Sequence, residues 1–142
     1  MKEILLTQGK VAFVDDEDFE SLNAFNWYAL KTHNTFYAVR NSPRINDNQI
    51  QMHREIMNTP QGMQTDHIDR NGLNNQRNNL RIVTSQQNAF NRNAKGYCFD
   101  KTKQKFQAQI RLNGKQIHLG YFATALEAHA AYLEAKKIYH VI

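Results

Sequence analysis

The feature that most constrains the fold is the alternation of apolar and polar residues between positions 106 and 121. Every second residue of KFQAQIRL is apolar, starting at Phe106, and the dipeptide Asn113-Gly114 follows. Asn-Gly strongly favours a two-residue hairpin turn. The returning segment KQIHLGYF alternates again, and its apolar positions are Ile117, Leu119 and Tyr121. We therefore predict two antiparallel strands with one apolar face and one polar, basic face.

A helix is predicted after this hairpin, in TALEAHAAYLEAKKIY. Thr124 and Glu127 have the spacing of a capping box, which marks a helix N-terminus. The predicted inner face of the helix carries small and aromatic residues, namely Ala128, Ala131, Tyr132, Ala135 and Tyr139. Such a low-profile stripe can lie close to the apolar face of the sheet.

The earlier part of the chain is predicted to form short strands and helices. EILLT and KVAFVD flank a turn at Gln8-Gly9, a helix follows in DDEDFESLNAF, and WYALK and FYAVR form a second strand pair. A short helix in IQMHREIMN precedes a strand MQTDHI, a polar loop, a strand LRIVT and a helix from Ser85. The predicted fold class is α+β. Its three parts are an N-terminal β/α segment over residues 1–50, a strand-strand-helix core over 51–93, and a C-terminal sheet with one helix over 94–142.

Composition limits the classes of protein and of metal site. Hydrophobic residues make up 41% of the 142 residues, which is enough for packed cores. Cys98 is the only cysteine, so an internal disulfide and a zinc site built from cysteine pairs are excluded. The N-terminus lacks the pattern of a secretory signal, and no apolar run is long enough to cross a membrane. We expect a cytoplasmic protein, in a bacterial or phage-infected host, without a membrane partner.

Positive charge rises toward the C-terminus. Residues 95–142 carry eight Lys/Arg and three Asp/Glu, whereas residues 1–62 carry six Lys/Arg and eight Asp/Glu. A basic C-terminal part indicates a polyanionic partner, although net charge alone does not distinguish nucleic acid from a solubility effect.

The segment DHIDRNGLNNQRNNLRIVTSQQN, residues 66–88, carries the chemistry. Hydrolysis of a phosphodiester needs a base for water, and a cation that neutralises charge on the phosphate and leaving oxygen. His67 suits the first task at neutral pH. A hard cation such as Mg²⁺ prefers oxygen ligands, which Asp66 and Asn88 could supply. Asn79 could form the hydrogen bond that orients the imidazole.

These residues and their spacing resemble the HNH, or ββα-metal, nucleases, in particular the His-Asn-Asn variety of phage and intron-encoded homing endonucleases. The resemblance covers residues 52–92. It implies that His67 is the general base, that Asp66 and Asn88 bind one divalent metal ion, and that Asn79 braces the motif and its histidine. The expected ion is Mg²⁺, with Mn²⁺ as the alternative, and no small-molecule cofactor is expected. The segment before residue 52 also looks like the leader of such nucleases, without an assigned chemistry.

Other roles for nearby residues stay open at this point. His53 is a rival base, although its place on a short helix favours packing or hydrogen bonding. Arg54, Arg77 and Arg81 are candidate phosphate contacts, and each could equally be a solvated surface charge.

Residues 95–140 are similar to the apetala-type (ethylene-response-factor) DNA-binding domain, in which three antiparallel strands are backed by one helix. The resemblance implies that strand positions contacting bases and phosphates correspond to Gln109, Arg111, Gln116 and His118. Cys98 and Asp100 stand where arginines usually make contacts in that family. The lysines that could replace those contacts are Lys95, Lys101, Lys103 and Lys105.

The sequence thus predicts an endonuclease for double-stranded DNA, with a basic sheet domain that binds the duplex and an HNH centre that cuts it. Two alternatives remain: a non-catalytic DNA-binding regulator that has kept the fold, and a nuclease of RNA or of structured junctions.

Overall fold

The computed structural model describes residues 1–43, 49–92 and 94–142, and these form two compact units, Met1–Asn88 (unit 1) and Ala89–Ile142 (unit 2). The predicted α+β class is confirmed, because small sheets and helices alternate along the chain. The three-part division into residues 1–50, 51–93 and 94–142 stays a prediction. Its first boundary lies inside unit 1, and its second falls on residue 93, outside the described ranges.

Short elements follow one another closely in the first ninety residues. In chain order they are β1 (Lys2–Leu5), β2 (Val11–Val14), α1 (Asp16–Asn23), β3 (Tyr28–Lys31), β4 (Phe36–Asn41), β5 (Gln49–Gln51), α2 (Met52–Met57), β6 (Gln64–His67), β7 (Asn74–Asn75), β8 (Leu80–Val83) and α3 (Ser85–Phe90). The sheets have the strand orders β1-β2-β7, β3-β4-β5 and β6-β8. The two-residue strand β7 pairs parallel to β2 and so joins the polar loop to the N-terminal hairpin.

One core runs through unit 1. Trp27, from the N-terminal segment, packs in the same cluster as Met52 and Ile56 of α2 and Leu80 of β8. The indole Nε1 of Trp27 donates a hydrogen bond of 2.7 Å to the carbonyl of Leu22, so its buried polar atom is satisfied. The first fifty residues therefore share a hydrophobic core with the residues that flank the predicted nuclease motif.

Unit 2 is a three-stranded antiparallel sheet packed on one helix. Its elements are β9 (Tyr97–Asp100), β10 (Lys105–Leu112), β11 (Lys115–Phe122) and α4 (Ala125–Tyr139), with β10 central. Asn113 and Gly114 have φ of 52° and 74°, as the predicted two-residue turn requires. The Thr124 hydroxyl accepts a hydrogen bond from the Glu127 amide, which confirms the predicted helix start.

The inner face of α4 matches the prediction in part, and Ala131 is half-buried. Ala128, Tyr132 and Ala135 are buried, whereas Tyr139 is 37% exposed in the last turn of the helix. Gly96 allows the close approach of the chain to this face, since a Cβ at Gly96 would lie 2.0 Å from the Tyr132 ring. Within the described residues, no helix has both the length and the apolar character needed to cross a membrane.

Candidate functional site

The β6–β8 strand pair carries the centre of the predicted motif. Asp66 is opposite Arg81 and His67 is opposite Leu80 in the antiparallel register. Because neighbouring side chains of a strand point to opposite faces, Asp66 and His67 address different sides of this small sheet. Both are largely buried, with exposed fractions of 7% and 5%.

His67 is oriented by Asn75 in the two-residue strand β7. The distance from His67 Nε2 to Asn75 Oδ1 is 2.8 Å, and Asn75 is fully buried. Since an amide oxygen can only accept, Nε2 carries the proton of the neutral ring, and the basic lone pair is on Nδ1. The sequence suggested Asn79 for this orienting bond, whereas Asn75 forms it.

Burial favours the uncharged form of His67. Burial lowers the pKa of His67 below its ordinary value, while the bond to Asn75 and the charges of Asp69 and Asp66 oppose this shift. A neutral imidazole with a defined tautomer can accept a proton from water. The same two carboxylates would stabilise the imidazolium that forms.

Asp66 forms an ion pair with the residue opposite it. Its Oδ2 accepts hydrogen bonds of 2.9 and 2.8 Å from Nε and Nη2 of Arg81. The Arg81 guanidinium, a predicted phosphate contact, is therefore directed at the predicted metal ligand.

Asn88 reaches the Asp66 side of the sheet from α3. A reciprocal capping box fixes the start of this helix: Gln87 N donates to Thr84 Oγ1, and Thr84 N donates to Gln87 Oε1. Asn88 Nδ2 donates to Gln64 Oε1. Gln64 and Asp66 are two residues apart on β6 and share a face.

The donor set on this face fits a hard divalent cation. Asn88 uses its nitrogen toward Gln64, so the atom it can offer to a cation is the amide oxygen. Asp66 adds a carboxylate, and carboxylate and amide oxygens are the ligands that Mg²⁺ accepts together with water.

Asn79 braces the polar loop between β6 and β8. Its Oδ1 accepts from the Asp69 amide at 3.0 Å, and its Nδ2 donates to Asp69 Oδ1 at 2.9 Å and to the Asn74 carbonyl at 2.8 Å. Burial raises the pKa of the Asp69 carboxyl, but hydrogen bonds from Asn74, Asn71 and Asn79 outweigh it and lower that pKa below its ordinary value. Several asparagines of the motif therefore serve to hold the loop together.

Arg77 is held within unit 1. Its Nε and Nη2 each donate a 2.8 Å hydrogen bond to the Asp18 carboxylate, and its backbone amide donates to Asp15 Oδ2. The bond to Asp18 raises the pKa of Arg77, with Glu17 as a further ion-pair partner. The predicted contact between Arg77 and a DNA phosphate stays a prediction. It requires the guanidinium to bind the phosphate as well as the Asp18 carboxylate.

His53 is a poor candidate for the base. It is 5% exposed, and burial, followed by the charges of His67 and Arg54, lowers its pKa from 6.5 to about 3. A base with this pKa takes up protons from water weakly at neutral pH. Arg54 donates to the Met63 carbonyl at 3.0 Å, which ties α2 to the chain entering β6.

The polar face of unit 2 carries the four predicted base and phosphate contacts. Gln109 is opposite His118, and Arg111 is opposite Gln116, so all four lie on one side of the β10–β11 pair. The strict alternation predicted for β11 is wrong at Tyr121. A register shift after Ala108 leaves one extra residue in β11, which moves Tyr121 to the polar face, opposite Gln107.

Tyr121 is an addition to this face that the sequence pattern did not predict, and it lies opposite Gln107, which the alternation had already placed there. Gln107 Nε2 lies 2.9 Å from His118 Nδ1, and the His118 and Tyr121 rings are 4.9 Å apart. Lys103 Nζ lies 4.0 Å from the centre of the Tyr121 ring. Lys105 is on the same side of β10 as Gln107.

Lys95 precedes β9, with its Nζ 5.5 Å from the Tyr97 ring. Its carbonyl oxygen lies within hydrogen-bonding distance, 2.8 Å, of Nδ1 of His129 on α4, so this bond connects the segment before β9 to the helix. Its predicted contact with DNA stays a prediction, as do those of the face described above.

Comparison with known proteins agrees with the motif. An uncharacterized HNH endonuclease of Acanthamoeba polyphaga mimivirus is 34% identical over 91 residues, which are 60% of this chain and 45% of that protein. The chain thus spans less than half the length of this relative. No solved structure gives a significant match. A family model described as HNH endonuclease matches residues 58–90. The segment that contains Asp66, His67, Asn79 and Asn88 is therefore similar to the HNH endonuclease family.

Proposed function

We propose that this protein is a metal-dependent endonuclease that hydrolyses phosphodiester bonds of double-stranded DNA, in the manner of homing endonucleases. The observation that carries the proposal is the buried His67, bonded through Nε2 to Asn75 and adjacent in sequence to Asp66. This arrangement lies within residues 58–90, which match the HNH endonuclease family.

In the proposed reaction, His67 Nδ1 accepts a proton from the water that attacks the phosphorus in line with the leaving oxygen. The lowered pKa keeps the ring neutral, and Asn75 holds the tautomer that places the lone pair on Nδ1. Asp69 and Asp66 stabilise the charge that the ring acquires. The products are expected to be 5′-phosphate and 3′-hydroxyl ends.

Asp66 and Asn88 are the residues that would hold the divalent cation, Mg²⁺ or Mn²⁺. When bound, such a cation neutralises negative charge on the phosphate and on the departing 3′ oxygen. Asn79 contributes indirectly, through the loop that it connects to Asp69 and Asn74.

Unit 2 would bind the duplex through the polar face of its sheet, as its likeness to the apetala-type domain implies. Glutamine and arginine side chains can read base edges in the major groove, and lysines can contact phosphates. Gln109, Arg111, Gln116 and His118 share that face. Binding should weaken with salt, with a slope of about −0.9 in log K against log salt for each phosphate contact.

The test compares His67→Ala with His33→Ala, a matched change at an exposed histidine. The wild type and both variants are incubated with supercoiled, linear and single-stranded DNA, in Mg²⁺ or in EDTA. We expect the wild type and His33→Ala to cut duplex DNA only with the metal, and His67→Ala to bind DNA without cutting it. Cleavage by His67→Ala at the wild-type rate would refute the assignment of His67 as the general base. Binding of DNA without cleavage by the wild type would support the alternative, a non-catalytic DNA-binding regulator.

A further inference from the structure

Two rings from outside the family-matched residues pack against the His67 imidazole and against each other. Tyr37 belongs to β4 and His53 to α2, whereas the match to the HNH family covers residues 58–90. The ring centroids are 5.7 Å apart for Tyr37 and His67, 4.8 Å for His53 and His67, and 5.2 Å for Tyr37 and His53. All three separations fall in the range of packed aromatic pairs.

The Tyr37 ring is itself fixed by the polar loop. A Cβ placed on Gly72 would lie 2.5 and 2.7 Å from two carbons of the Tyr37 ring and 2.3 Å from the Phe36 carbonyl oxygen. The Gly72 amide donates a 3.0 Å hydrogen bond to Thr35 Oγ1. Glycine at this position therefore lets the loop lie directly against β4 and the Tyr37 ring.

His53 is fixed by the helix that carries it. It lies on α2, in the same short helix as Met52 and Ile56, which are anchored in the core of unit 1. Its imidazole contacts the His67 ring edge-on, with an interplanar angle of 65°. Because burial keeps the pKa of His53 far below neutrality, it adds no positive charge beside His67 at pH 7.

We propose that Tyr37 and His53 are positioning residues of the nuclease centre, whose rings hold the plane of the His67 imidazole in line with Asn75. A hydrogen bond at Nε2 constrains one atom of the ring, whereas contact with two further rings restricts its rotation. The inference rests on the proposed role of His67 as the general base. It gives the N-terminal segment a function, because the site is then incomplete without β4 and α2.

The expected loss of activity on removing one of these rings can be compared with known effects of misplaced catalytic groups. Outer-shell partners that orient a metal-binding histidine typically contribute about 10- to 100-fold to metal affinity or activity, and misplacing a reacting group by about 1 Å can cost about 100-fold. The positioning role predicts a loss in kcat of about tenfold or more when a ring is removed, with KM for DNA nearly unchanged. A ring without a hydroxyl should suffice at position 37.

The experiment uses the full chain and two pairs of variants: Tyr37→Phe against Tyr37→Leu, and His53→Phe against His53→Leu. The phenylalanine variants keep a ring, and the leucine variants remove it. Kinetics on supercoiled DNA give kcat and KM, and nitrogen-15 NMR of labelled histidine side chains gives the tautomer of His67, assigned with His67→Ala. The fluorescence of Trp27 during urea unfolding shows whether each variant is folded.

We expect the wild type and Tyr37→Phe to show one His67 tautomer protonated at Nε2, and folded Tyr37→Leu to show a mixture together with the fall in kcat. A folded Tyr37→Leu with the wild-type tautomer and the wild-type kcat would overturn the proposal. A fall in kcat in Tyr37→Phe as large as that in Tyr37→Leu would overturn it too. If Tyr37→Leu does not fold, the His53 pair decides by the same criteria. A wild-type chain that does not cut DNA would refute the proposed function instead, and the NMR result would still report on the ring packing.

Discussion

Replacing His53 with glutamine is expected to reduce the pH dependence of the stability of unit 1. In the folded protein, burial is the main cause that lowers the pKa of His53 from 6.5 to about 3. The unfolded chain therefore binds a proton near pH 6.5 that the folded state does not accept until the pH is far lower. Glutamine does not titrate, so the variant lacks this difference.

The free energy of unfolding is expected to decrease as the pH falls, because the pKa of His53 is lower in the folded state than in the unfolded chain. The neutral buried form of His53 is fully favourable above pH 6.5, and its contribution to stability is lost as the pH falls through 6.5 toward 3. For this shift, linkage gives a loss of about 2 kcal/mol in the free energy of unfolding between pH 7 and pH 5. His67, whose pKa is also lowered, adds a loss of the same sign in both proteins.

Urea unfolding at pH 7 and pH 5 measures the effect. Trp27 is the only tryptophan of the chain and lies in the core of unit 1, so its fluorescence follows the unfolding of that unit. Between these pH values the wild type should lose about 2 kcal/mol more than His53→Gln. The exposed-site control His33→Gln should behave as the wild type does. Equal pH dependence in His53→Gln and the wild type would refute the argument that His53 is buried in its neutral form.

Three further predictions concern the site, the loop and the DNA-binding face. Asn75→Ala should lower the initial rate of plasmid cleavage by about 10- to 100-fold, because His67 Nε2 loses its acceptor; an unchanged rate would contradict the orienting role. Gly72→Ala should reduce the free energy of unfolding by about 1 to 3 kcal/mol in urea titrations, since its Cβ would meet the Tyr37 ring; wild-type stability would show that the loop does not press on β4. Arg111→Gln should weaken DNA binding and reduce the salt slope by about 0.9 in fluorescence anisotropy titrations if Arg111 contacts one phosphate; an unchanged slope would exclude that contact.

Local sequence signals predicted most of the strands and helices. The hairpin at Asn113-Gly114 and the start of α4 depend on residues within one turn, so their sequence carries the necessary information. Tyr121 was assigned to the wrong face because an extra residue in β11 interrupts the alternation. Gly120, with φ of 132°, was the available signal, since glycine inside a strand often marks a bulge.

The partners of the candidate site were only partly predictable. Asp66, His67 and Asn88 lie in one short strand-loop-strand-helix segment, where spacing along the chain indicates proximity in space. Asn75 meets His67 because β7 pairs with β2, some sixty residues earlier in the chain. No local periodicity reveals such a pairing, and the motif offered several other asparagines. Tyr37 was missed for the same reason.

The pairing of Asp66 with Arg81 connects two roles that the sequence suggested separately. Asp66 is a predicted metal ligand and Arg81 a predicted phosphate contact, yet both guanidinium hydrogen bonds go to Asp66 Oδ2. A cation on this carboxylate would repel the guanidinium, whereas a phosphate nearby would attract it. Loss of activity in Arg81→Ala therefore does not by itself identify a phosphate contact, because the substitution also changes the electrostatics of Asp66. Only a combination of Arg81→Ala with Asp66→Asn, compared with each single variant, separates the two roles, since two independent roles would give additive effects on DNA affinity and on the metal concentration required for cleavage.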